Sequence, residues 1–164
     1  MRIVVQRVSR AEVRVGGRTV GVIGTGLVLL VAVERGDGEE QVRQAAHRLA
    51  TLRVFDDGEG RMNRGLDEVG GAVLLISQFT LAGSIRRGRR PDFAGAAAPA
   101  EAEPVIEALA AAMRAAGVEV ATGEFRAYME VELVNDGPVT FVWESVGSRQ
   151  STVDSQQEKS TVDS

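Results

Sequence analysis

Two stretches of this chain are apolar on both faces, and they limit what it can fold into more than anything else does. Leu27-Val28-Leu29-Leu30-Val31-Ala32-Val33 has no polar alternation, and Ala72 to Phe79 is nearly as apolar. Runs of this length, rich in branched aliphatics and preceded by glycines (Gly24 and Gly26, then Gly70 and Gly71), read as strands buried above and below. Such strands lie at the centre of a layered sheet, so the other segments have to cover it.

Two helices are available for that cover. Asp37 is a candidate N-cap, Glu39 and Glu40 suit the first turn, and Val42, Ala45, Ala46, Leu49 and Leu52 keep helical spacing, which predicts a helix over about 38–53. Glu101 to Ala116 carries Val105, Ile106, Leu109 and Met113 on one face and stops at Gly117. The rest reads as strands. Residues 2–8 alternate in part, and Ala11–Val15 and Thr19–Ile23 flank Gly16-Gly17 as a hairpin. Val54 to Asn63 is a small hairpin or an extended arm, and Val118–Ala121 is a short strand. Tyr128–Val134 and Val139–Glu144 close the fold.

The expected order is βββ(βα)(βα)βββ: an α/β, mixed layered, barrel-like domain with two main helices on one side. So large a sheet leaves a second face to cover, and a dimer partner is one way to cover it. The domain is expected over residues 1–146. From 147 to 164 the chain turns polar and repeats Ser151-Thr152-Val153-Asp154-Ser155 as Ser160-Thr161-Val162-Asp163-Ser164, which reads as a disordered appendage.

Several chemistries drop out on residue inventory. There are no cysteines, so disulfides, thiolate metal sites and thiol nucleophiles are excluded. The single histidine, His47, falls on the predicted surface of the first helix, and no clustered metal ligands appear, so no metal or cofactor is expected. No run is long enough to cross a membrane, and the start is too quickly charged for a secretory signal, so a cytoplasmic location is expected. The net charge of −4 argues against a generally nucleic-acid-coating protein, but a local basic patch remains possible.

Three stretches could carry function. Ser77-Gln78-Phe79-Thr80 ends the second buried run, where α/β ligand sites gather. Its hydroxyls and amide could hold a polar ligand or merely satisfy backbone groups at a strand end. A Ser77 or Thr80 nucleophile would need an activating base, and the inventory offers none, so an enzyme built on these residues works by positioning. Arg86-Arg87-Gly88-Arg89-Arg90 follows on the same loop, either as a phosphate grip or as a solvated turn. Asn135-Asp136-Gly137-Pro138-Val139-Thr140 places a proline between two strand-like runs. It reads as a hairpin turn or as a rigid backbone element that something must meet.

Together, Ser77-Gln78-Phe79-Thr80-Leu81 and Asn135–Thr140 resemble the two signature motifs of the D-aminoacyl-tRNA deacylase family. Gln6-Arg7-Val8, Gly26-Leu27, Met62-Asn63 and Arg90-Pro91-Asp92-Phe93 follow in the family's order, and the resemblance covers about residues 1–145. It implies a homodimeric hydrolase that frees tRNA from a wrongly attached D-amino acid. Ser77, Gln78, Phe79 and Thr80 would surround the terminal adenosine and the ester. Gly137-Pro138 would be a cis element reaching into the partner subunit's site, supported by Arg7, Asn135 and Thr140. The RNA 2′-hydroxyl would assist hydrolysis, and Arg86, Arg87, Arg89 and Arg90 would bind tRNA. A steric filter of this kind cannot reject glycine, so glycyl-tRNA is an expected substrate too.

Overall fold

The computed structural model describes residues 1–147. The repeat and polar tail read from the sequence lie outside the described residues, apart from Gly147. The long β1 (Arg2–Val15) is followed by β2 (Arg18–Ile23), β3 (Gly26–Ala32) and α1 (Glu39–Ala50). Next come β4 (Phe55–Asp56), β5 (Met62–Arg64), the short α2 (Leu66–Val69) and β6 (Ala72–Ser77). A 3-10 turn (Phe79–Ala82), α3 (Pro99–Ala115), β7 (Glu119–Thr122) and the long β8 (Glu130–Glu144) complete the described chain.

One sheet runs β2-β1-β3-β6-β7, with β8 paired to the remaining flank of β1. β3, β6 and β7 are parallel, whereas β1 is antiparallel to β2, β3 and β8. The first half of β1 pairs with β3 and the second half with β2, so β1 bends across the sheet and brings β2 back towards β6 and β7. The sheet thereby curls almost into a barrel.

Both faces of the apolar runs are used. Leu27, Leu29, Val31, Val73 and Leu75 point to α1 and α3, where they meet Leu49, Leu109 and Met113. Val28, Leu74 and Ile76 point into the curl against Val8, Val13 and Ile23. Each fully buried aliphatic side chain contributes about 1.5–3 kcal/mol of transfer free energy. Gly26 is needed at the β3–β6 seam, because a Cβ there would lie 1.8 Å from the Ala72 carbonyl oxygen.

The two main helices do lie on one side, as expected. Four readings change. Residues 2–8 and 11–15 are one bent strand: the register to β8 skips Ser9, and pairing resumes at Arg10↔Val134. Tyr128–Val134 and Val139–Glu144 are not a hairpin: residues 130–144 form one strand running antiparallel along the whole of β1, from Arg14↔Glu130 to Arg2↔Glu144. Asp37 is not an N-cap. Gly38 holds that position, and the Asp37 carboxylate lies 2.6 Å from the amino group of Met1 and accepts from Glu34 N (2.7 Å). The inner sheet face is filled by the curl itself, so covering it does not require a partner.

Candidate active site

Two clusters concentrate the polar groups that the sequence singles out. The first forms where β6 ends. Ser77 is the last strand residue, Gln78 N still donates to the Val31 carbonyl (2.7 Å), and the chain then tightens into the turn at Phe79–Ala82. Arg2 Nη1 donates to the Leu81 carbonyl (2.8 Å), tying the turn to β1. Phe93 packs on Phe79 with ring centroids 5.2 Å apart and an interplanar angle of 56°. Gly83 makes room for it, since a Cβ there would lie 2.7 Å from the Phe93 ring.

Ser77, Gln78 and Phe79 open into a cleft of about 730 Å³ that Phe93, Phe125 and Met129 also line. The lining combines a hydroxyl and an amide with several aromatic rings, a composition suited to a planar ring carrying a polar substituent. Thr80 does not line this cleft. It is exposed, and its hydroxyl accepts a hydrogen bond from the Gln78 side-chain amide.

Beyond the turn, Ser84 and Asp92 exchange both backbone hydrogen bonds (2.7 and 2.9 Å) and close a loop that carries Arg86, Arg87, Arg89 and Arg90, all exposed. None of the four is in an ion pair within the described residues. Phe93 directly follows the closing pair, so the basic loop and the cleft share one anchor.

The second cluster is a bulge in β8. Thr140 pairs with Gln6 and Asn135 with Val8, so residues 136–139 stand outside the ladder opposite Arg7. That is where a proline belongs in a strand, since no ladder hydrogen bond is asked of it. The Gly137-Pro138 peptide is cis and Gly137 has φ 138°. A Cβ on Gly137 would meet Val139 Cγ2 at 2.8 Å and Arg7 Nη2 at 3.2 Å.

Side chains clamp the bulge from both sides. Asn135 Oδ1 accepts from Val139 N (2.7 Å), while its Nδ2 donates to Thr140 Oγ1 (2.8 Å) and the Val139 carbonyl (3.3 Å). Arg7, 7% exposed, donates from Nε to the Asp136 carbonyl (2.9 Å) and from Nη1 to the Val54 carbonyl (2.7 Å) and Asp56 Oδ1 (3.2 Å). The bulge is thus fixed to β1 and, through Arg7, to the small β4–β5 hairpin.

Arg7, Asn135, Gly137, Pro138 and Thr140 therefore come together, as do Ser77, Gln78 and Phe79. Within one chain the two groups stay apart, and none of residues 135–140 lines the cleft. Sequence reasoning left Phe125 and Met129 out of the cleft wall and Val54 and Asp56 out of the Arg7 anchor. All four are set by tertiary pairing and carry no local signal. Phe93 was visible only as part of the Arg90–Phe93 string. His47 is exposed on α1, and no cluster of potential metal ligands occurs among the described residues.

A curled mixed sheet whose central strand ends on a cleft of ligand size defines a class of α/β domain with a binding site at a strand end. The sequence narrows the class, because residues 4–144 match the family model described as D-Tyr-tRNA(Tyr) deacylase. A D-aminoacyl-tRNA deacylase of Symbiobacterium thermophilum is 56% identical over 145 residues, 88% of this chain and 96% of that protein. One from Heliobacterium modesticaldum is 52% identical over 147 residues, 90% and 98% of the two chains. The solved structure of a c-Myc DNA unwinding element binding protein superposes with a TM-score of 0.82 at 34% identity, covering 88% of this chain and 99% of that one. The chain belongs to the D-Tyr-tRNA(Tyr) deacylase family, a family of enzymes.

Proposed function

We propose that this protein hydrolyses the ester of D-aminoacyl-tRNA, and that of glycyl-tRNA, by positioning the substrate. The observation that carries the reading is the cleft at the end of β6. Ser77, Gln78 and Phe79 offer a hydroxyl, an amide and a ring to the 3′-terminal adenosine and its ester, and no carboxylate or imidazole is among the residues lining that cleft. Water adds to the ester carbonyl, the bond to the ribose 3′ oxygen breaks, and the free amino acid and tRNA leave. The neighbouring 2′-hydroxyl takes the part of the missing base. Thr80 acts by orienting Gln78, to which it is hydrogen-bonded.

Stereochemical selection falls to Gly137-Pro138. The bulge is held rigid by Arg7, Asn135 and Thr140 and presents backbone, which bars an L side chain by shape alone. It lies away from the cleft of its own chain, which supports a homodimer in which each subunit's bulge faces the other's cleft. The open flank of β8, where Phe141 and Val142 are 45% and 64% exposed, supports such pairing. Arg86, Arg87, Arg89 and Arg90 grip tRNA phosphates. The site needs no metal or cofactor, and a cytoplasmic location suits a tRNA substrate.

One set of single-turnover reactions tests this reading. D-tyrosyl-tRNA and glycyl-tRNA are expected to be cleaved and L-tyrosyl-tRNA spared. Replacing the terminal 2′-hydroxyl by hydrogen should stop cleavage, while Thr80→Ala should retain most activity. Cleavage of the 2′-deoxy substrate together with loss of activity in Thr80→Ala would assign the chemistry to a threonine nucleophile instead.

A further inference from the structure

The turn leading from β7 into β8 has a conformation that the sheet does not ask for. Arg126 lies at φ 67°, the only residue other than glycine with positive φ among the described residues. Arg126 sits at the third position of a turn closed by Ala127 N donating to the Glu124 carbonyl (3.2 Å), a place where positive φ favours glycine or asparagine, so the arginine is there at a conformational cost. No hydrogen bond or ion pair within the described residues engages the Arg126 guanidinium. Two residues on, Tyr128 is 91% exposed, more than any other large apolar residue described. Both residues line the rim of the cleft that Ser77, Gln78 and Phe79 open into. Of the acids beside them in sequence, Glu124 is paired with Arg18 (3.0 Å), and Glu130 lies in the field of Arg14.

A free cation and a free aromatic face on one rim suit a single-stranded nucleic acid, whose bases stack on aromatic rings and whose phosphates seek arginine. A cleft that takes a terminal adenosine must pass the next nucleotide out over its rim. We propose that Tyr128 is the stacking platform for the base that precedes the terminal adenosine, and that Arg126 binds the phosphate joining the two. The inference rests on reading the cleft as the seat of the aminoacylated 3′ end. It adds a second nucleotide to the recognised substrate and gives both residues a use.

The test compares two substrates, D-tyrosyl-tRNA and D-tyrosyl-adenosine, which lacks the preceding nucleotide. Stacking of one base changes affinity by roughly five- to a hundredfold. Tyr128→Ala should therefore raise KM for the tRNA at least about fivefold more than for the adenosine ester, with little change in kcat, and Tyr128→Phe should restore the tRNA value. Arg126→Gly suits the positive φ, so its urea midpoint should not fall. It should raise KM for the tRNA and flatten the slope of log KM against log salt by about 0.7, one phosphate contact to a single strand. Equal KM changes on the two substrates, or none, would overturn the proposal while leaving the cleft reading intact. Failure of the unaltered protein to cleave either substrate would remove the cleft reading, and the proposal with it.

Discussion

Replacing Arg7 by methionine keeps most of the buried stem and removes only the guanidinium fork. Three contacts go: the hydrogen bonds to the Asp136 and Val54 carbonyls and the contact with Asp56. A hydrogen bond from a charged donor contributes about 1.5–3 kcal/mol. The Asp56 carboxylate is 55% exposed, so its pairing adds only about 0–1 kcal/mol. Water can reach the exposed Asp136 and replace part of the loss there, so the net cost should be near 3 kcal/mol. That is tolerable for a domain with about 5–15 kcal/mol of stability. The folded variant should then show a lower urea midpoint and a bulge released at its Asp136 end. With the wall loosened, the ratio of kcat/KM for D- over L-tyrosyl-tRNA should drop at least about a hundredfold, equivalent to about 2.7 kcal/mol of lost discrimination. Arg7→Lys keeps the charge but cannot span both carbonyls and should fall between the two. A folded Arg7→Met protein with a reduced midpoint and an unchanged D-to-L ratio would refute the idea that this anchor sets selectivity.

Three further outcomes are expected. Gly26→Ala forces a Cβ into the backbone of β6 and should prevent stable folding or cost more than about 3 kcal/mol, read as loss of cooperative urea unfolding. Gly83→Ala pushes the Phe93 ring off Phe79, and its main effect should be a raised KM with a nearly unchanged unfolding midpoint. On β8, hydrogen bonds from Arg10 and then Arg14 hold the Glu132 carboxyl below the usual carboxylate range. Its stabilising effect is present above the unfolded-state value and disappears as pH falls through the folded-state value. Glu132→Gln should therefore lower stability at neutral pH and flatten its decline in the acid range, as followed by thermal melts across pH.

The sequence made the centre of the fold legible because burial on both faces leaves no choice of partner layers. Leu27–Val33 and the run after Gly71 became β3 and β6, and the two periodic helices landed on one face as their apolar stripes required. Short elements escaped: α2 and the turn at Phe79–Ala82 are four residues each, too short for periodicity to show. The larger miss was instructive. Asn135-Asp136-Gly137-Pro138 has the residue types of a hairpin tip, and local turn chemistry favours that reading. Pairing with β1 on both sides of the bulge overrides it, and nothing within the hexapeptide reports a partner that lies over a hundred positions away. The same is true of Asp37, whose helix-start signal is real but whose carboxylate is taken by a group at the far end of β1. The Ser77–Phe79 and Arg7–Asn135 groupings were visible as motifs. Of their supports, Phe93 showed only within the Arg90–Phe93 string, and the roles of Val54 and Asp56 did not show, because tertiary packing alone brings them there.

The pairing of β1 with β8 also sets a timetable. Arg7 is among the first residues made, while the bulge it clamps and the strand around it, residues 130–144, come after nearly all the rest of the fold. The cleft at Ser77–Phe79 is no earlier: Phe125, Met129 and Val131 line it, so it too waits for the segment that leads into β8. An unfinished product of this gene that stopped before Phe125 would therefore lack the wall of the cleft and the bulge together.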